Sequence, residues 1–91
     1  MKNNILVTYD LNKAGQNYEA LIEKIKQLGA WAKVQQSVWY LHTSYSANEV
    51  LDHLTKVTDF NDSIFVANMS DAYWRGLSAE VQQFIQEQWY K

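Results

Sequence analysis

The alternation of apolar and polar positions divides the chain into short strand and helix segments. The first apolar run covers residues 5–11, is rich in β-branched side chains and carries the carboxylate of Asp10 near its end. Such a run predicts a buried strand. We therefore expect this strand to deliver Asp10 to one end of a sheet.

An amphipathic helix is predicted next. The polar residues 12–17 include Gly15, and Asn17 is placed to cap a helix. Gly29 stands where a helix C-terminal residue is expected. Between them, apolar side chains recur at helical spacing, with Glu and Lys on the other face: Tyr18, Leu21, Ile22, Ile25 and Leu28.

Residues 30–43 have the composition of two strands. The segments 30–34 and 37–43 are rich in aromatic and β-branched residues, and Gln35 and Gln36 separate them. We predict a hairpin that turns near residues 33–36, although the chain has no Asn-Gly or Asp-Gly pair there.

A capping box marks the start of the second helix. Ser46 and Glu49 have the spacing of this motif and stand just before an apolar periodicity, which predicts a helix over residues 47–57. The apolar residues 63–69 then suit a central strand. The predicted order up to this point is βαββαβ.

This order is the signature of an α+β, ferredoxin-like antiparallel sheet with both helices on one face. The other face needs a cover, and Ser78 can cap a C-terminal helix that folds onto its own sheet or onto a partner's. We expect one domain over residues 1–91, with a core at about 4–69 and a helical extension at about 70–91. The apolar positions of the extension are Val81, Phe84, Ile85 and Trp89.

Composition narrows the chemistry. The chain has no Cys and only 2 His, so disulfides, thiol chemistry and zinc-finger sites are excluded, and any metal would be a hard cation bound by oxygen. A net charge of -2 gives no overall field that would attract nucleic acid. No signal peptide, lipidation motif or long apolar run is present, so we expect a cytoplasmic protein with no membrane partner.

Three segments resemble the Cas2 and VapD-type small ferredoxin-like proteins. They are LVTYDL at residues 6–11, VQQSVW at residues 34–39 and, more weakly, NDSIFV at residues 61–66. They follow the family's order with plausible separations. The chain also looks like a member of a branch of short bacterial and phage proteins that begin with an LVTYDLN segment.

The resemblance implies a homodimer whose two sheets meet face to face. Some Cas2-like proteins are metal-dependent nucleases, and others scaffold a DNA-integrating complex. The resemblance implies Asp10 as the metal ligand, with both copies holding one Mg²⁺ across a two-fold axis, and it places Tyr9 and Ser37 nearby. The chain departs from the family in having only Lys13 before Lys24 where Arg and Lys are frequent, and in ending with a predicted helix where a fifth strand is common.

Several residues allow a structural as well as a functional interpretation. Asp10 is either a metal ligand and general base, or a strand-end residue that binds the amides of Asn12 and Lys13. His42 and His53 are interpreted as surface residues. Two further groups are better explained by core or interface packing than by base stacking: Trp31, Trp39, Tyr40 and Tyr45 of the hairpin region, and Trp74 and Trp89 of the extension.

Two functions of different classes follow. The favoured one is a non-catalytic dimeric binding or accessory module of Cas2-like fold, with a protein or nucleic-acid partner and no cofactor. The alternative is a Cas2-like Mg²⁺-dependent endonuclease, foremost an endoribonuclease, that uses Asp10 from both subunits. The residues expected at an interface or nucleic-acid contact are Tyr9, Ser37, Trp39, Trp74 and Trp89.

Overall fold

The computed structural model describes residues 2–11 and 18–91. The elements follow the predicted order and add the expected C-terminal helix, which confirms the α+β, ferredoxin-like architecture. They are β1 (Asn3–Asp10), α1 (Tyr18–Gln27), β2 (Ala30–Gln35), β3 (Val38–Thr43), α2 (Ala47–Thr55), β4 (Ser63–Asn68) and α3 (Ala79–Gln88).

The four strands form one sheet in the order β2-β3-β1-β4, and every neighbouring pair is antiparallel. The central strand β1 places Ile5 opposite Leu41 of β3 and opposite Asn68 of β4. Each helical crossover therefore skips one strand, which is the split arrangement expected for a ferredoxin-like chain.

Helices α1 and α2 cover one face of the sheet, which we call the first face. Side chains of a strand alternate between faces, so Ile5, Val7 and Tyr9 of β1 point toward these helices and are buried. The helices contribute their own apolar stripes to this core: Leu21, Ile25 and Leu28 from the α1 region, and Val50 and Leu54 from α2.

The predicted capping box is present at the start of α2. The Ser46 hydroxyl accepts the Glu49 amide at 3.1 Å, and the Glu49 carboxylate accepts the Ser46 amide at 2.8 Å. Two amide donors at the helix N-terminus are thereby satisfied. Ser78 caps α3 in the same way, since its hydroxyl accepts the Val81 amide at 3.2 Å.

Helix α3 packs on its own sheet and covers part of the opposite face, which we call the second face. Ile85 of α3 is buried with Tyr40 and Ala32. Of the two expected arrangements of the C-terminal helix, on its own sheet or on a partner's, the structure has the first. The partly buried residues around this smaller core are Val34, Met69, Trp74, Leu77, Val81, Phe84 and Trp89.

The hairpin turn lies later than predicted. Gln36 and Ser37 form it, and Ser37 has a φ of 61°, which is in the left-handed region. Ser37 adopts this conformation at a cost that Gly would avoid. Asn17, the predicted cap of α1, lies outside the described residues. In the described ranges, none of the helices combines the length and apolar character that a membrane crossing requires.

Candidate functional site

Asp10 is exposed at the end of β1, opposite Ser63 of β4. Within residues 2–11 and 18–91, no group of three or more acidic, His or Cys side chains is placed to hold a metal ion. In the part of the chain that the structure describes, Asp10 thus belongs to no such group of ligands. The amides of Asn12 and Lys13, which were the alternative partners for Asp10, lie outside the described residues.

The residues next to Asp10 belong to the core of the first face. Tyr9 is 8% exposed and Trp39 is 3% exposed, and the Trp39 indole donates to the Tyr9 hydroxyl at 3.1 Å. Ser37 accepts the Tyr9 amide through its carbonyl at 3.3 Å. Tyr9 and Trp39 thus lie beneath α1 and α2 rather than at an accessible surface.

A groove of about 740 Å³ runs across the second face. Leu6, Thr8 and Val38 form its floor, and residues 69–77 with α3 form its walls. Its size is in the usual range for a ligand or peptide site. Trp74 and Trp89, two of the predicted interface residues, both line this groove.

The groove is apolar and nearly free of charge. The charged side chains that line it are Asp71 and Arg75, one of each sign, and both belong to the wall segment 69–77. Aromatic and aliphatic side chains make up most of the remaining lining, and the aromatic ones are Tyr40, Tyr73, Trp74 and Trp89. This composition suits an apolar partner with a few hydrogen-bonding groups better than a phosphate backbone.

Exposed aromatic rings extend this surface beyond the groove. Phe65 is 64% exposed and lies opposite Thr8 in the sheet, so the Phe65 ring and the groove floor share the second face. Tyr73 in the wall segment is 88% exposed. Large rings in this state are typical of surfaces that another molecule covers.

A buried polar cluster underlies the end of α3. The Asn4 side-chain amide (Nδ2) donates to the Trp89 carbonyl at 3.0 Å. The Asn4 side-chain oxygen (Oδ1) accepts the Tyr40 hydroxyl at 2.5 Å. His42 Nδ1 lies 3.0 Å from the same Asn4 oxygen. Since that oxygen accepts, the network assigns a proton to Nδ1 of His42.

His42 contradicts the prediction that it lies at the surface, since it is only 1% exposed. Its Nε2 atom is buried and has no hydrogen-bond partner among the described residues. The physical reason is that β3 is an inner strand with both faces covered. The apolar run from Val38 to Leu41 was the sequence signal for this two-sided burial.

Burial keeps the titrating members of the cluster neutral. It raises the pKa of Tyr40 to about 12. Burial also lowers the pKa of His42, and the positive charges of Lys2 and Lys91 lower it further. The cluster therefore holds α3 on the sheet through neutral hydrogen bonds, which suits an anchor rather than an acid–base centre.

The hairpin aromatics do not form one stacking platform. Trp39 and Tyr40 are adjacent in β3 and point to opposite faces, so they belong to different cores. Trp31 packs against Trp39 at a centroid distance of 5.7 Å, and the Lys26 ammonium lies 4.5 Å from the Trp31 ring. Core packing, the favoured interpretation, is confirmed for Trp39 and Tyr40.

Neither a protein-family model nor a curated protein matches the chain when sequences are compared. The resemblance to Cas2 and VapD-type proteins accordingly stays an interpretation of the three segments that carry it. The features that bear on function are the groove, the exposed rings beside it and the exposed carboxylate of Asp10.

Proposed function

We propose that the chain is a non-catalytic homodimeric binding module of Cas2-like fold that takes a protein partner in the groove of the second face. The observation that carries this proposal is the groove itself, which is open, apolar and floored by the sheet where α3 leaves it uncovered. Concave apolar surfaces with a few polar groups are the usual form of a binding site.

The charge of the groove favours protein over nucleic acid as the partner. Asp71 and Arg75 offset each other in its wall, and Asp10 is exposed at the end of β1. Nucleic-acid surfaces typically gather several Lys and Arg to neutralise phosphates. Aromatic rings such as Trp74, together with an Arg, are the residues enriched at protein interfaces.

The exposed ring of Phe65 supports a homodimer. Phe65 lies on the second face outside the groove lining and is largely accessible in the single chain. Covering this ring removes apolar surface from water, at roughly 25 cal/mol per Å². A second copy is the simplest cover, because most soluble oligomers are closed symmetric homo-oligomers.

The surroundings of Asp10 favour binding over catalysis. Hard cations in proteins usually take several oxygen ligands, and among the described residues Asp10 belongs to no group of three or more acidic, His or Cys side chains placed to hold a metal ion. Its exposure is the observation that keeps the nuclease alternative worth testing. That alternative requires two copies to bring their Asp10 carboxylates together.

Light scattering at tens of micromolar tests the homodimer. We expect a mass of about twice the 10.6 kDa of the chain, and a monomer would contradict the proposal. In a parallel gel-shift assay, single-stranded RNA and double-stranded DNA are expected to migrate unchanged. A saturable shift at physiological salt would show that the partner is a nucleic acid and not a protein.

The dye 1-anilinonaphthalene-8-sulfonate tests whether the groove accepts an apolar molecule. We expect Thr8→Glu, on the groove floor, to reduce the fluorescence gain at least about threefold, because the new carboxylate repels the dye and makes the floor polar. Thr55→Glu is the matched control on the exposed part of α2. Equal fluorescence of the two variants would show that the dye does not use the groove.

A further inference from the structure

Strand β4 is an edge strand without the features that usually protect an edge. It comprises the 6 residues SIFVAN, none of which is charged or Pro. Its register with β1 runs from Asp10↔Ser63 to Ile5↔Asn68 without a shift. Natural edge strands normally carry a charge, a Pro or a bulge, because a bare edge invites another strand.

The opposite edge of the same sheet is protected. Strand β2 contains Lys33, and its register with β3 shifts between Lys33 and Gln35. Helix α3 also packs against β2, with Ala32 and Val34 in its contact cluster. The contrast between the two edges indicates that the bare edge of β4 serves a purpose.

The hydrogen-bonding groups at the free edge can be assigned. The Met69 amide donates to the Asn4 carbonyl of β1 at 2.7 Å. Backbone groups of alternate residues point to the same side of an antiparallel strand, so the odd-numbered residues of β4 face β1. Ile64, Val66 and Asn68 therefore present their amides and carbonyls outward.

We infer that β4 pairs antiparallel with β4 of a second copy of this chain, with the two-fold axis at Val66. The inference rests on the proposed homodimer and gives it an edge-to-edge geometry, which differs from the face-to-face sheets that the resemblance to Cas2-like proteins implies. Val66 then lies opposite the partner's Val66, and Ile64 lies opposite the partner's Asn68. This register gives all three outward-facing residues of each copy a hydrogen-bonding partner.

A second copy fits this edge for three reasons. Two-fold pairing places no like charges opposite each other, because β4 has none. Phe65, which is 64% exposed, is brought opposite the small side chain of the partner's Ala67 on the second face. The symmetry is closed, so the pairing ends at two copies instead of extending into a fibre.

The pairing has a consequence for both proposed functions. The two grooves lie on the same side of one continuous sheet, where a single partner can contact both. The two Asp10 carboxyl groups are separated by three strand spacings and six residues along the strands, or roughly 25 Å. At this separation the two copies of Asp10 do not share a metal ion.

Disulfide cross-linking tests the register of the two β4 strands. The chain has no Cys, so native thiols contribute no cross-links of their own. The variants Phe65→Cys and Ala67→Cys are prepared separately, mixed and oxidised. Residues 65 and 67 form a closely spaced, non-hydrogen-bonded pair in this register, which suits a disulfide. We expect the mixture to give a cross-linked dimer at several times the yield of either variant alone.

A second pair of variants is independent of cysteine chemistry. Phe65→Lys places a positive charge on the edge strand β4, on the side of the second face where the partner's Ala67 would lie. We therefore expect the dimer dissociation constant to rise at least about tenfold. Tyr90→Lys makes the same change at another exposed ring, near the C-terminus, and should leave dimerisation unchanged. Circular dichroism confirms that both variants are folded.

The outcomes separate this inference from the proposed function. A stable dimer that shows no preferential 65–67 cross-link, or that forms equally well with Phe65→Lys, would overturn the β4 pairing and leave the binding module standing. Preferential cross-linking of Phe65→Cys alone would also overturn it, because that result requires a different register. A monomer would instead overturn the proposed function.

Discussion

Trp89, at the end of α3, stacks on Tyr40 of β3 with ring centroids 6.2 Å apart and planes inclined by only 13°. The Trp89 carbonyl also accepts a hydrogen bond from the Asn4 side-chain amide at 3.0 Å. Stacking and hydrogen bonding thus attach the C-terminal helix to two inner strands of its own sheet. The groove of the second face exists because α3 is held in this position.

Removing the Trp89 ring should weaken this attachment. We expect Trp89→Ala to lower the free energy of unfolding by about 2 to 4 kcal/mol, because the ring is partly buried and makes an aromatic contact. Tyr90→Ala is the matched control, since Tyr90 is 94% exposed. Urea denaturation measures both, and equal stabilities would contradict the anchoring role of Trp89.

The neutral state of His42 predicts a dependence of stability on pH. The folded-state pKa of His42 lies below its ordinary value of 6.5, so the unfolded chain takes up the proton first as the pH falls. The contribution of His42 is therefore fully present above pH 6.5 and decreases between 6.5 and the lower folded-state pKa. Acidification below 6.5 should destabilise the protein.

Denaturation at several pH values between 5 and 8 measures this slope. The variant His42→Gln has no group that titrates at that position and should lose most of the slope. His53→Gln, on α2, is the matched control and should retain it. An unchanged slope in His42→Gln would assign the pH dependence to other groups.

Gly29 is required by a close approach of two backbones. A Cβ atom added at Gly29 would lie 2.3 Å from the His42 carbonyl oxygen, whereas one added at Gly76 would meet nothing within 4 Å. We expect Gly29→Ala to cost about 1 to 3 kcal/mol of stability through this overlap. Gly76→Ala should cost about 1 kcal/mol, because its φ of 86° is unfavourable for a residue with a Cβ.

Thermal denaturation of both variants distinguishes the two causes. A Gly29→Ala variant as stable as the wild-type protein would show that the strand and the α1–β2 connection move apart freely. In the sequence, Gly29 stands where a helix terminator is expected. Of the glycines in the described ranges, Gly76 has a positive φ and Gly29 does not. Glycine is therefore needed at position 29 because the His42 carbonyl lies too close for a side chain, and not because of the backbone conformation.

The order of elements could be predicted because its signals are local. The capping box at Ser46 and Glu49 placed the start of α2, and Ser78 placed the start of α3. Apolar periodicity separated helices from strands without knowledge of the tertiary structure. The resulting βαββαβ order then limited the sheet to very few topologies.

The groove and the polar cluster could not be predicted because they depend on distant contacts. Asn4 and His42 are 38 residues apart in the chain and meet only because β1 and β3 are paired. A shift of one residue in that register would place Tyr9 and Trp39 on opposite faces of the sheet, whereas both are buried on the first face here. The sequence indicated that Asp10 ends a strand, but not which side chains of other elements lie around it.

The most direct test of the central claim is a nuclease assay of the wild-type protein and of Asp10→Asn. Single- and double-stranded RNA and DNA are each incubated with the protein and with Mg²⁺ or Mn²⁺. We predict no cleavage by either protein, because among the described residues Asp10 belongs to no group of three or more side chains placed to hold a metal ion. Cleavage by the wild-type protein that Asp10→Asn abolishes would contradict the binding-module account and establish the nuclease.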